Sequence, residues 1–477
     1  MENGSAFIRR AQSGNGIYLV ASNGGPERRV YELHSAIAWE DPGLSWSPNG
    51  KFLAFPDGRS QETPSSIYML DVVSEQAKPV THPLNSWDGD FAPVYSPDGS
   101  KIAFVRGADA ATRNVYVIAS GGGEPKQLTF NGRLIFGLSW MPDSSAIVFS
   151  SDLGGTPALW RVPVSGGEPE RLPVGTEGAI TPAISRKGAS LAYAQGTSSW
   201  SLMRVPLRSP KEAARKVLSS SEQDSAPKFS PDGKLIAFQS WRSGSQEIWT
   251  CDGDGKNPKR LTSFEGPLTG SPSWSPDGKS IAFDSRPSGR SHIFVMAPNG
   301  GTPRGLTDGD FNDIVPNWSS DGQWIYFASK RSGRWQLWKV PAGSGELRQV
   351  TESGGFVGGE SPDGKWVYFT KYGEAGLWRV SSAGGAESKI ANGPPADYWG
   401  YWTLTSDGVY YLDGDGSSSA IYFRGYSSAE STRIRTLERT PPPFSGVSVS
   451  PDKHWLLYTD QVSTGYNIML VENLEKR

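Results

Sequence analysis

Asp90 in "DFAP", Asp224 in "DSAP" and Asp313 in "DIVP" stand at the same point of a recurring phrase, each three residues before a proline. Carboxylates at a fixed spacing can hold a cation, accept a ligand's hydrogen bonds, or act as general acid and base where their surroundings tune the pKa. Arg242, Arg286, Arg290, Arg331 and Arg334 follow the apolar runs downstream. Large aromatics accompany them: Trp87, Phe91, Phe311 and, in "DYWGYW", Tyr398, Trp399, Tyr401 and Trp402. Arg, Trp and Tyr dominate binding hot spots, so carboxylate, guanidinium and ring together describe an adaptable binding face. The same residues have a structural use, in which Asp pairs with Arg between neighbouring repeats and the rings pack the repeat interfaces.

Other chemistries find less to work with. The four histidines, His34, His82, His292 and His454, do not share a repeat position, so no imidazole-ligated metal is expected. Cys251 is the single cysteine, which excludes an internal disulfide framework and any cysteine-rich metal site. The loop "TDGDFNDI" at Thr307 to Ile314 begins like a calcium loop but lacks the glycine at the sixth position and the later bidentate Glu, so it reads as turn chemistry. No G-x-S-x-G nucleophile elbow occurs. A net charge of -2 with interspersed signs gives no basic face for nucleic acid. No run of eighteen apolar residues marks a membrane segment. No cofactor and no metal are expected, and the compartment stays open between cytoplasm and periplasm.

The elements that must position these residues come from a repeat. The anchor S-P-D-G or a variant begins at Ser47, Ser96, Met141, Ser185, Ser230, Ser275, Ser319, Ser361, Thr405 and Ser450, at intervals of 42 to 49 residues. That period is one four-stranded propeller blade, and the apolar residues alternate as strands do. Strand A ends at the anchor, and strand B follows as in Ile281-Ala282-Phe283. Strand C follows a polar loop, as in Leu337-Trp338. A glycine turn then leads into strand D, as in Arg260-Leu261-Thr262. The D-to-A and B-to-C loops emerge at one end of such a blade, so the aspartates, arginines and aromatics meet there, at the channel mouth.

"PSWSPDGKSIAFDSRPSGRSHIFVMAPNGGTPRGLT", residues Pro272 to Thr307, resembles the repeat of TolB-like β-propellers, also seen in the propeller domains of prolyl oligopeptidase-like and tricorn-like proteins. The resemblance implies an all-β fold of about ten WD40-like repeats and interlocking of N- and C-terminal strands. It also implies, through bacterial proteins that carry such repeats beyond a membrane span, the sensory part of a larger regulator or kinase. The expected arrangement is an N-terminal, incomplete propeller over 1–213 and a six-bladed one over 214–477. There "ARKVLSS" lends strand D to a last blade whose strands A, B and C come from the C-terminus; one large ring is the alternative. Two repeats depart from the pattern: Arg186-Lys187 replace Pro-Asp, and Glu360 replaces an apolar residue, read as drift or as a charge facing the channel.

The function expected is non-catalytic recognition of a protein, peptide or glycan through Asp90, Asp224, Asp313, Trp87, Phe311, Arg242, Arg286, Arg331, Tyr398, Trp399, Tyr401 and Trp402. The alternatives are a propeller hydrolase or lyase, or the accessory propeller of a peptidase.

Overall fold

The computed structural model describes residues 4–9, 15–34, 43–58, 63–84, 89–108, 112–185, 190–209, 211–218, 220–266, 268–287, 289–414, 418–443 and 445–472. Among them the regular elements are strands, apart from one 3-10 turn at Ala396–Tyr398. Most sheets are antiparallel and four-stranded, in the order A-B-C-D. The sheet Thr269–Trp274, Ile281–Ser285, His292–Met296, Arg304–Gly305 is representative.

The anchor makes the corner by closing hydrogen bonds on itself. Ser275 Oγ donates to Asp277 Oδ1 at 2.7 Å, and the same carboxylate oxygen accepts from the Lys279 amide at 3.1 Å. Ser275 Oγ also accepts from the Ser280 amide at 2.9 Å, while Gly278 takes a φ of 70° that L side chains rarely adopt. Apolar strands then stack sheet on sheet: Ala282, Ile293 and Val295 of one sheet bury against Ile325, Phe327 and Val340 of the next. Each such side chain contributes about 1.5–3 kcal/mol on full burial.

The chain forms two compact units, residues 1–196 with 466–477, and residues 197–465. Unit 1 contains four-stranded sheets beginning at Ser45, Gly89 and Ile135, a three-stranded sheet over Gly4–Glu32, and the pairing of Ala179–Ile184 with the first part of the strand Ser190–Pro206. In unit 2 the inner strands beginning at Asp224, Thr269, Asp313, Gly358, Trp402 and Ser448 contact one another in succession, and the last meets the first. Three bonds make that seam. The Ala226 amide donates to Ser445 Oγ at 3.2 Å, the Phe229 amide to Ser448 Oγ at 3.1 Å, and Lys228 Nζ to the Val447 carbonyl at 3.2 Å.

The closing sheet corrects one strand assignment. Its inner pair is Ser448–Val449 with the strand starting at Trp455, and its outer pair is the second part of Ser190–Pro206 with Arg215–Leu218. The tail at Tyr466 to Leu470, expected as strand C here, belongs to unit 1. "SLMRVP" at Ser201 to Pro206 has the composition of "QLWKVP" at Gln336 to Pro341, a strand C, and fills the place with buried Leu202 and Val205.

Strand A carries a bulge in most sheets. The register shifts after Phe91, Ile180, Ser225, Gly270 and Ile314, and the residue before each proline takes positive φ: Ala92, Thr181, Ala226, Ser271 and Val315, at 47° to 55°. A non-glycine residue there stores about 1–3 kcal/mol, worst for β-branched Thr181 and Val315. Neighbouring sheets hold two of these bulges down. The Ser271 amide donates to Gln239 Oε1 at 3.0 Å, and the Val315 amide to Asp284 Oδ1 at 3.2 Å.

Candidate functional site

The three aspartates at the start of strand A are fully buried, and each meets an arginine of its own sheet. Asp90 accepts from Arg106 Nε at 2.6 Å and Nη2 at 2.9 Å. Asp224 accepts from Arg242 Nη2 at 2.7 Å and Ser240 Oγ at 2.6 Å. Asp313 takes Arg331 Nη2 on both oxygens, at 2.6 and 2.7 Å. The pairing is within a sheet rather than between neighbours, because strand B ends beside the start of strand A.

Each guanidinium also lies over two rings of that sheet. Arg106 is 5.5 Å from Phe104 and 5.0 Å from Tyr116, Arg242 is 5.4 Å from Phe238 and 5.2 Å from Trp249, and Arg331 is 5.6 Å from Phe327 and 5.2 Å from Trp338. Burial pushes the Asp90 and Asp313 carboxyls up, and the facing guanidiniums oppose it. One constellation of carboxylate, guanidinium and two rings thus recurs in both units, with its aspartates away from solvent. That makes it a brace for the blade end.

Arg286 differs. The position of the strand-A aspartate is held by Thr269, whose hydroxyl meets Ser285 Oγ at 2.7 Å, and Arg286 instead donates to Asp284 at 3.1 Å and to the Leu268 carbonyl at 3.2 Å. Phe311 is 36% exposed and lies 5.8 Å from the Arg331 guanidinium, so it alone of that group offers its ring to solvent. Trp87 lies outside the described residues.

The "DYWGYW" segment divides. Tyr401 is wholly buried, with its hydroxyl donating to the Pro442 carbonyl at 2.5 Å, and Trp402 is 5% exposed in the core. These two were expected at the surface. Tyr401 and Trp402 instead lead into and begin strand A, which turns them inward. Tyr398 and Trp399 are half-buried in the loop before it.

Trp399 leads to a cluster that the sequence reading missed. Phe356 is the floor, 2% exposed, with Trp335 at 5.1 Å, Tyr372 at 5.0 Å and Trp399 at 4.8 Å between ring centroids. Tyr372 is 56% exposed, and Lys330 Nζ lies 5.1 Å from the Trp335 ring. Trp335 and Tyr372 come from B-to-C loops, Phe356 and Trp399 from D-to-A loops, so all four converge at the blade end expected to carry function. The available signal was the loop alone: Trp335 and Tyr372 lie between strands B and C, as Arg242 and Arg331 do, but at different offsets.

Glu360 has a further role. Its carboxylate accepts from the Ser320 amide and hydroxyl, both at 2.8 Å, and from the Tyr326 hydroxyl at 2.7 Å, tying its sheet to the preceding one. It is neither drift nor a charge on the channel.

Among the described residues no group of three or more His, Cys, Asp or Glu gathers as metal ligands. Asp152 in unit 1 is 1% exposed, and burial pushes its carboxyl up to about 7, with Arg133 and Arg113 opposing. A carboxyl whose pKa is raised on folding binds its proton more tightly when folded. Its contribution to stability is full below about pH 4 and is lost as pH rises through about 7. Urea unfolding at pH 5 and pH 8 should show the larger part of that loss, at most about 3 kcal/mol over this window, and Asp152→Asn should flatten the slope. A variant with the wild-type slope would assign the pH dependence elsewhere.

Residues 39–269 and 259–374 match the family model for the TolB beta propeller domain. The chain is 29% identical over 220 residues to the uncharacterized peptidase YuxL of Bacillus subtilis, covering 43% of this chain and 30% of that protein. It is 26% identical over 196 residues to dipeptidyl-peptidase 5 of Aspergillus oryzae, covering 37% of this chain and 27% of that protein. It thus spans less than a third of either curated relative. Among solved structures, TolB from Acinetobacter baumannii aligns over 86% of this chain and 79% of its own, at 16% identity and a TM-score of 0.38.

Proposed function

Since the chain belongs to the TolB β-propeller domain family, we propose that it is a non-catalytic recognition module that binds a protein, peptide or glycan through the loops at one blade end of unit 2. The observation that carries this reading is the ring cluster of Trp335, Phe356, Tyr372 and Trp399, half open to solvent and drawn from four loops of three consecutive sheets. Rings on a buried floor offer contact area at little entropic penalty, since two χ angles fix each one. The aspartates, closed off by arginine, support the blade end from beneath.

The module reading is tested on glycan and peptide arrays with the wild type and with Trp335→Ala/Tyr372→Ala. Affinity for any ligand found should fall at least tenfold in the double variant, in line with hot-spot losses of about 2 kcal/mol or more, while the melting temperature stays within a few degrees. Undiminished binding in that variant would remove the cluster from the site. Turnover of a bound peptide or glycan by the purified chain would favour the hydrolase or lyase reading instead. A third reading, an accessory propeller of a peptidase, draws on the relatives named as peptidases, and it predicts a peptide rather than a glycan as the ligand.

A further inference from the structure

Two neighbouring grooves in unit 2, at the blade end opposite to the ring cluster, differ by one carboxylate. In the first, between the sheets beginning at Asp313 and Gly358, Glu360 fills the space. Tyr326 donates to it, and Lys339, the register partner of Tyr326, stacks 4.9 Å from Trp324. Burial lowers the Lys339 pKa and the nearby Glu360 charge opposes that, so the groove is an internally neutralised cation site.

The next groove repeats the parts without the acid. Tyr368 has Arg379 as its register partner, and the Arg379 guanidinium stacks 4.2 Å from Trp366, as Lys339 does on Trp324. The strand-A position of Glu360, just before the anchor and paired with the start of strand B, is held by Leu404. Tyr368 is 2% exposed, and Arg379 Nε is buried with no hydrogen-bond partner among the described residues. A second guanidinium arrives from the following sheet: Arg424, one nitrogen of which donates to the Ile390 carbonyl. Beside Tyr368, the counterpart of the Tyr326 that donates to Glu360, lies a cavity of about 210 Å³, lined by Tyr368, Arg379, Val409, Arg424 and Tyr426 among others, with no acidic residue in its lining.

We propose that this cavity binds a small carboxylate, whose oxygens take the place that the Glu360 side chain holds one repeat earlier. Tyr368 donates to it, and Arg379 and Arg424 supply the charge. A planar guanidinium matches a carboxylate edge to edge, and two of them in a lining without a carboxylate favour an anion there. The space equals that of about seven waters, enough for a short mono- or dicarboxylate. The site is separate from the ring cluster and independent of the recognition proposed there.

Calorimetric titration of the full chain with glutarate at constant ionic strength tests it, with acetate and inorganic phosphate as parallel arms. Saturable one-site binding of glutarate is expected, weakened at least tenfold by Tyr368→Phe and by Arg424→Met. Leu404→Glu should abolish it by filling the cavity from within, while keeping or raising the melting temperature. Absence of saturable binding, or affinity unchanged in these variants, overturns the proposal. Binding of phosphate with both carboxylates inert overturns the ligand class. Should Arg424→Met unfold, the remaining two variants decide, and unfolding of Leu404→Glu itself counts against a cavity built for a carboxylate.

Discussion

Asp313→Ala is expected to destabilise the 197–465 unit by about 3–5 kcal/mol, the loss typical when one partner of a buried ion pair is removed. The Asp313 side chain is fully buried and that of Arg331 only 13% exposed, so the arginine left behind could not rehydrate without leaving its place between Phe327 and Trp338. Two hydrogen bonds at 2.6 and 2.7 Å vanish with the carboxylate, and the guanidinium keeps its charge. Asp313→Ala/Arg331→Met should recover at least half of the loss, because a matched apolar pair removes the stranded charge as well. Chemical denaturation of the three chains gives the answer. A single-variant loss below about 1 kcal/mol would mean that the pair is not a brace and would reopen a ligand role for the aspartates. Asp90 and Asp224 should behave alike, and Asp224→Ala also removes the acceptor of the buried Ser240 hydroxyl.

The sequence made the architecture readable because each blade states its own corner. Ser275 to Ser280 contain the groups that the turn uses, so the motif and the structure coincide. Register made the aspartates readable as a set, and it brought Arg242 and Arg331 to them correctly. Solvent access was not readable. Whether Asp313 faces a ligand or an arginine depends on the bulge at Val315 and on how strand B ends, and neither is written in a local pattern. Arg286 illustrates the limit: Thr269 stands where the other sheets have Asp, and Arg286, one residue earlier in its loop than Arg242 and Arg331 are in theirs, pairs with Asp284. The ring cluster was hidden for a similar reason, since its four members come from different loops at different offsets and meet only because the sheets fan around a shared axis. Glu360 was visible as an exception, but its partners Ser320 and Tyr326 lie in the preceding repeat, beyond any local reading.

Tyr401→Ala is expected to destabilise the same unit by about 3–5 kcal/mol, as large-to-small changes of a buried aromatic do. Its ring packs with Tyr410, Leu412, Val447, Leu456 and Tyr458 where the sheet beginning at Trp402 meets the closing sheet, so the cavity left behind opens at the junction that completes the cycle. The Pro442 carbonyl loses its donor at the same time, adding about 1 kcal/mol or more for a buried unsatisfied acceptor. Tyr401→Phe separates the two contributions, since it keeps the ring and should lose only about 1 kcal/mol. Thermal and urea midpoints measure both, and the phenylalanine variant should keep full affinity for any ligand of the loop face. If Tyr401→Phe instead weakened binding with unchanged stability, the hydroxyl would belong to the site after all. The closing sheet is built from strands distant in sequence, Trp200 to Leu218 on one side and Ser448 onward on the other, so its contacts close the longest loops in the unit. A void at that seam removes contacts whose formation follows the largest loop-closure entropy loss, which is why Tyr401 should weigh more on folding than rings such as Phe283 that pack within successive repeats.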